Sequence, residues 1–133
     1  MNNGCSKCEA GHSVTSAHVD LAIDNNGTWS DAFQFGETED LTWTLNNQSF
    51  SLDVQLNYYD PVPKLSVTSA DGEIIIADPI QRVIYLNIPP YAIQAALQPG
   101  MYVYDLVMID GVTGVHVPLM HGTVEVAQGV TGV

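Results

Sequence analysis

Four residues near the N-terminus have the types and the spacing of a metal site: Cys5-x2-Cys8-x3-His12-x5-His18. Thiolate sulfur and imidazole nitrogen are the donors zinc prefers, and Cys-x2-Cys is the usual first half of a structural zinc site. The gap from Cys8 to His12 is shorter than in a zinc finger, and the surrounding residues are small and polar, with no apolar core to enclose an ion. Three readings therefore stand together: a zinc knuckle on Cys5, Cys8, His12 and His18, a disulfide within or between chains, and free thiols. Zinc is the cofactor this motif raises.

Other residues able to do chemistry are more scattered. His116 and His121 lie five apart around Pro118 and read as surface or interface histidines, because no companion ligands sit nearby in sequence. The acidic run Glu37-Thr38-Glu39-Asp40, and the pair Asp20 and Asp24, could offer oxygen ligands to calcium. Their spacing matches no EF-hand loop, so solvated loops are expected. There is no Gly-x-Ser-x-Gly elbow and no reactive-cysteine signature, so the sequence points away from an enzyme. Trp43, Tyr58, Tyr102 and Tyr104 fall on the apolar phase of their segments and read as core. Tyr59 and Tyr91 are off-phase or in loops and are the candidates for a partner surface.

The elements that must position these residues are β-strands. Phe50, Leu52, Val54, Leu56 and Tyr58 alternate with Ser51, Asp53, Gln55 and Asn57, the pattern of a strand with one face on a core and one in water. Val19, Leu21 and Ile23 alternate in the same way before the turn residues Asn25-Asn26-Gly27. Trp29, Phe33 and Phe35 mark a second segment, and Leu41, Trp43 and Leu45 a third. Leu65 and Val67 are joined through Ala70-Asp71-Gly72 to Ile74–Ile76 and read as a hairpin. Residues 83–88 form a further strand. Tyr91 to Leu97 is the one helix expected, stopped by Pro99-Gly100. The expected core is Phe50, Leu52, Val54, Leu56, Tyr102, Tyr104 and Leu106. About eight to nine strands at roughly ten-residue spacing fit an all-β sandwich. Residues 1–18 read as an extended polar arm and residues 19–133 as the sandwich domain.

Composition bounds the partners. The 133 residues hold three basic side chains, Lys7, Lys64 and Arg82, against fifteen acidic ones, for a net charge of −12. Phosphate contacts by Lys and Arg supply non-specific nucleic-acid affinity, so no nucleic-acid partner is expected. No apolar run approaches the roughly 18 residues of a membrane span, and the N-terminus lacks the basic start and apolar stretch of a secretory signal. Synthesis in the cytosol is expected, where two cysteines are reduced by default.

The C-terminal third carries a resemblance. Pro99-Gly100-Met101-Tyr102-Val103-Tyr104-Asp105-Leu106, then Gly122-Thr123-Val124-Glu125-Val126 and Gly129-Val130-Thr131, preceded by Asp71-Gly72-Glu73-Ile74 and Ile88-Pro89, resemble a small β-sandwich domain of tailed-bacteriophage structural proteins. The resemblance spans about residues 19–131. It implies an immunoglobulin-like antiparallel sandwich and a place in the virion, either as a capsid decoration (cement) protein or as a tail or fibre anchor. Its implied partners are other virion proteins, the major capsid protein or tail components, with several copies of the chain together on the particle. The acidity and the absence of an attached domain depart from adaptor-type members and favour a decoration protein. A glycan- or receptor-binding module on the virion surface is the alternative.

Overall fold

The computed structural model describes residues 16–37 and 39–130, so Cys5, Cys8 and His12 lie outside the described residues. Nine strands and one helix follow in the order β1 (Ala17–His18), β2 (Leu21–Asp24), β3 (Ala32–Gln34), β4 (Gln48–Gln55), β5 (Leu65–Thr68), β6 (Ile74–Asp78), β7 (Val83–Leu86), α1 (Pro90–Ala96), β8 (Gly100–Asp110) and β9 (His116–Ala127). They form an all-β sandwich. The larger sheet runs β1-β9-β8-β4-β5, with β2 also on β9, and the smaller runs β3-β7-β6.

The long antiparallel pairs β4·β8 and β8·β9 are the frame. Their period-two residues meet on the inner side: Phe50, Leu52 and Val54, then Tyr102, Tyr104, Leu106 and Met108, then Met120, Val124 and Val126 are all buried. The smaller sheet supplies Ile74, Ile84 and Leu86, and Trp29, Ile88, Ile93 and Leu97 close the same core. Helix α1 begins after Pro89 with Pro90 in its first turn, where a missing N–H is harmless, and it buries Ile93.

Four expectations need correction. Leu56 and Tyr58 are outside the core, with Leu56 52% exposed. Strand β4 ends at Gln55 because the side chain of Asn57 accepts from Tyr59 N–H and that of Asp60 accepts from Val62 N–H, and these Asx turns bend the chain away. The segment holding Leu41, Trp43 and Leu45 is irregular, because the peptide oxygens of Asp40 and Trp43 turn toward the Arg82 guanidinium instead of a neighbouring strand. Residues 65–76 are not a hairpin. Strand β5 pairs with β4 and β6 with β7, and the Ser69–Gly72 turn, with Gly72 at φ 81°, carries the chain from one sheet to the other. The larger sheet is also not wholly antiparallel, since β1 and β2 both run parallel to β9.

That parallel edge is one strand with a break at Val19-Asp20. Val19 N–H donates to His121 O, Tyr104 OH donates to Val19 O at 2.7 Å, and Asp20 Oδ1 accepts from the backbone N–H and hydroxyl of Thr123. The approach is close enough to require glycine at 122: a Cβ there would stand 2.2 Å from Val19 O, and φ is 156°.

Candidate functional site

The register of the larger sheet places one polar row across its outer face. Ser66 pairs with Asp53, Asp53 with Asp105, Asp105 with His121, and His121 with His18. On β4, β5, β8 and β9 each lies on the phase opposite the buried residues of its strand, and both residues of β1 are exposed. Directly opposed side chains sit about 4.5–5.5 Å apart at Cβ, so neighbours in the row interact.

The hydroxyl of Ser66 donates to Asp53 Oδ1 at 2.6 Å. Asp105 stands between a carboxylate and an imidazole. Burial and the neighbouring Asp53 push its pKa up, and His121 opposes them. At the edge, His18 Nε2 lies 3.0 Å from Asp20 Oδ1, and Ser16 Oγ lies 2.8 Å from His121 Nδ1. The two imidazoles meet edge to face, with centroids 5.1 Å apart and planes at 86°. Hydrogen bonds from Thr123 hold the Asp20 carboxyl below its ordinary pKa, with a further contribution from His18.

Sequence reasoning grouped His18 with the N-terminal cysteines and His121 with His116. The structure instead joins His18 to His121 and leaves His116 opposite Ile109, near the other end of the β8·β9 pair. No sequence signal indicated this, because it depends on the parallel register of β1 on β9. Among the described residues, no group of three or more His, Cys, Asp or Glu is arranged to hold a metal ion.

Asp105 gives a direct test of the row. Its folded-state pKa is raised, so its ionisation opposes folding fully above that raised value and not at all below the ordinary value of 3.8. Asp105→Asn is therefore expected to raise the thermal midpoint at pH 7, with the advantage shrinking to nothing as the pH falls to about 3. A variant less stable than the parent at pH 7 would show that Asp105 is held by an attraction instead.

Tyr59 and Tyr91 occupy one end of the sandwich. Strand β4 finishes at Gln55, opposite Val103 and close to the start of β8, so residues 56–64 hang from that end. Helix α1 lies there too, with Gln94 Nε2 donating to Asn25 O just beyond the end of β2. Tyr59 is 94% exposed and Tyr91 75%, and Leu56, Tyr58, Val62 and Met101 are also open to solvent. A shallow cleft of about 240 Å³ lies along residues 22–31, with Asp24, Trp29 and Asp31 in its wall. The indole N–H of Trp29 is already bonded to Asp31 at 2.9 Å.

Among the described residues the basic side chains are Lys64 and Arg82. Arg82 is completely buried, and Lys64 Nζ lies 3.8 Å from Asp60.

No protein-family model matches the chain, and no curated protein matches it. Among solved structures the chain is similar to CopC from Methylosinus trichosporium OB3b, at 13% identity over 89% of each chain, with a TM-score of 0.41.

Proposed function

We propose that the chain is a structural protein of a tailed-bacteriophage particle. In this reading it is a capsid decoration protein that attaches through the end of the sandwich bearing Tyr59 and Tyr91. The observation that carries this reading is that half of the large exposed apolar side chains among the described residues belong to that end: Leu56, Tyr58, Tyr59, Val62 and Met101, with Tyr91 on helix α1. Scattered apolar residues are normal on a protein surface, but several on one end mark a surface built for contact. Tyrosine is enriched at interface centres because it brings a large rigid contact area together with a hydroxyl. The resemblance of residues 19–131 to phage sandwich domains supplies the particle as partner. The acidic surface suits a place on the outside of a shell, away from packaged DNA.

Particles from a phage deleted for this gene, mixed with the purified chain, are expected to carry it down on sedimentation at a fixed copy number. The Tyr59→Ser/Tyr91→Ser variant should bind at least about tenfold more weakly while its thermal midpoint stays unchanged, since neither ring is buried. Equal binding by parent and variant would remove this end as the attachment surface. Binding to host cells that free sugars compete away would favour the glycan-binding alternative.

A further inference from the structure

The outward phase of β8, the middle strand of the larger sheet, is apolar. Met101, Val103, Val107 and Ile109 stand on either side of Asp105, and none of the four belongs to the core or packs on it. Met101 is 56% exposed and the other three are partly exposed. The strands beside them present small polar groups outward, Ser49 and Ser51 on β4 and Thr123 on β9. An apolar centre inside a polar rim is the composition of a protein interface.

The polar row that crosses this face fits a second copy of the chain. From β5 to β1 it reads Ser66, Asp53, Asp105, His121, His18, with carboxylates on one half and imidazoles on the other. An imidazole donates to a carboxylate when neutral, and more strongly when protonated. The other charged groups around His121 are Asp20, which faces His18, and Glu125 farther along β9. Such a row is complementary to itself reversed. A two-fold axis running along the strands between β8 and β9 sets Asp105 against His121 of the second copy and Asp53 against His18 of the second copy, and symmetry repeats both pairs. A two-fold running along the row would lay carboxylate on carboxylate, so the charges select the first arrangement. That arrangement leaves the two β8 strands about 4.8 Å apart in projection, so Val103 and Val107 of each copy meet across the axis. The overlap of β4, β8, β9 and the β1–β2 edge is about 19 Å across and roughly 30 Å long, or ~600 Å2 per copy, the lower end for a specific complex. We propose that the chain forms a two-fold dimer through the outer face of β4, β8 and β9, with Asp105 and Asp53 of each copy against His121 and His18 of the other. Tyr59 and Tyr91, at the end of the sandwich, take no part in it.

The test is sedimentation equilibrium of the intact chain at pH 6, with reductant and chelator present so that neither disulfides nor metal join the copies. The expected result is a monomer–dimer equilibrium with a dissociation constant on the order of micromolar, in keeping with the modest area. His121→Asp sets carboxylate against carboxylate and should weaken the dimer by at least about tenfold. Asp105→Lys sets ammonium against imidazole and should do the same. The double variant Asp105→Lys/His121→Asp restores opposite charges and should dimerise again. Val103→Asp, in the apolar strip, should also weaken the dimer, which keeps the proposal testable if a His121 variant unfolds; far-UV circular dichroism checks each fold. Tyr59→Ser/Tyr91→Ser should dimerise as the parent does. A parent that stays monomeric up to millimolar concentration overturns the proposal. So does a dimer that His121→Asp and Val103→Asp leave unchanged, or a double variant weaker than either single one. Loss of the dimer in Tyr59→Ser/Tyr91→Ser would overturn it too, because the copies would then meet through the end of the sandwich. Because no particle is present, none of these results depends on attachment to one.

Discussion

Replacing Arg82 with methionine is expected to lower the free energy of unfolding by about 3–5 kcal/mol, the range for leaving buried polar partners uncompensated. The Arg82 side chain is wholly buried, and its guanidinium donates to five main-chain oxygens. These are Phe35 at 2.7 Å, Asp40 at 2.5 Å, Trp43 at 3.1 Å, Ile80 at 3.0 Å, and Glu37. The guanidinium carbon also sits 5.2 Å from the centre of the Trp43 ring. These contacts organise residues 35–37 and 39–43, which lie outside the named strands, and they hold Arg82 at φ 61°, where a non-glycine residue is strained. Methionine fills much of the aliphatic volume but leaves the carbonyls without donors. Lysine, with one nitrogen in place of a planar fork, cannot reach all five, so Arg82→Lys should recover only part of the loss. Urea denaturation of the three proteins measures this. A loss below about 1 kcal/mol for methionine would mean that water satisfies these oxygens and that the loop does not depend on the guanidinium.

A pair of leucines four residues apart provides the second large contrast. Leu52→Ala is expected to cost about 2–5 kcal/mol, because Leu52 is 1% exposed between β5 and β8 and its removal leaves a cavity. Leu56→Ala should stay within about 0.5 kcal/mol, since that side chain is half in solvent beyond the end of the strand. Equal and large losses at both positions would mean that β4 continues through residue 56 and that the Asx turns at Asn57 and Asp60 are misplaced. Equal and small losses would mean that the facing of β4 is reversed.

The same two leucines show how far the sequence could be read. Alternation identified β4 and its inward residues Phe50, Leu52 and Val54, because period two is a local property of the chain. It overran the strand at Leu56 and Tyr58, where turn-forming Asn57 and Asp60 prevailed over a continuing apolar phase. The Gly72 turn was legible as a turn, but not its destination. A glycine at positive φ serves equally for a hairpin and for a crossing between sheets, and which strands pair is decided by the whole core. Arg82 looked like one of three scattered cations. That it would be buried follows from five carbonyls drawn from positions 35–43 and 80, a convergence without any local pattern.

The candidate site divides in the same way. Tyr59 and Tyr91 stood out in the sequence because they were out of phase with the apolar stripe, and both rings are exposed. The polar row of Asp53, Asp105, His121 and His18 was not legible, because it exists only through cross-strand register. Its last step, from His121 to His18, also depends on a parallel pairing between the first and last strands. Cys5, Cys8 and His12 lie outside the described residues, and the structure adds nothing to what their motif suggests.

If the chain is a particle protein as proposed, image reconstruction of phage particles with its gene present, set against particles from a deletion of that gene, tests attachment most directly. The proposed attachment should give a difference density the size of one sandwich repeating on the particle surface, docked with residues 56–62 and helix α1 against the shell. Identical reconstructions would contradict the assignment to the particle. A sandwich seated through the outer face of β4, β8 and β9, with Tyr59 and Tyr91 pointing into solvent, would contradict the assignment of the attachment surface.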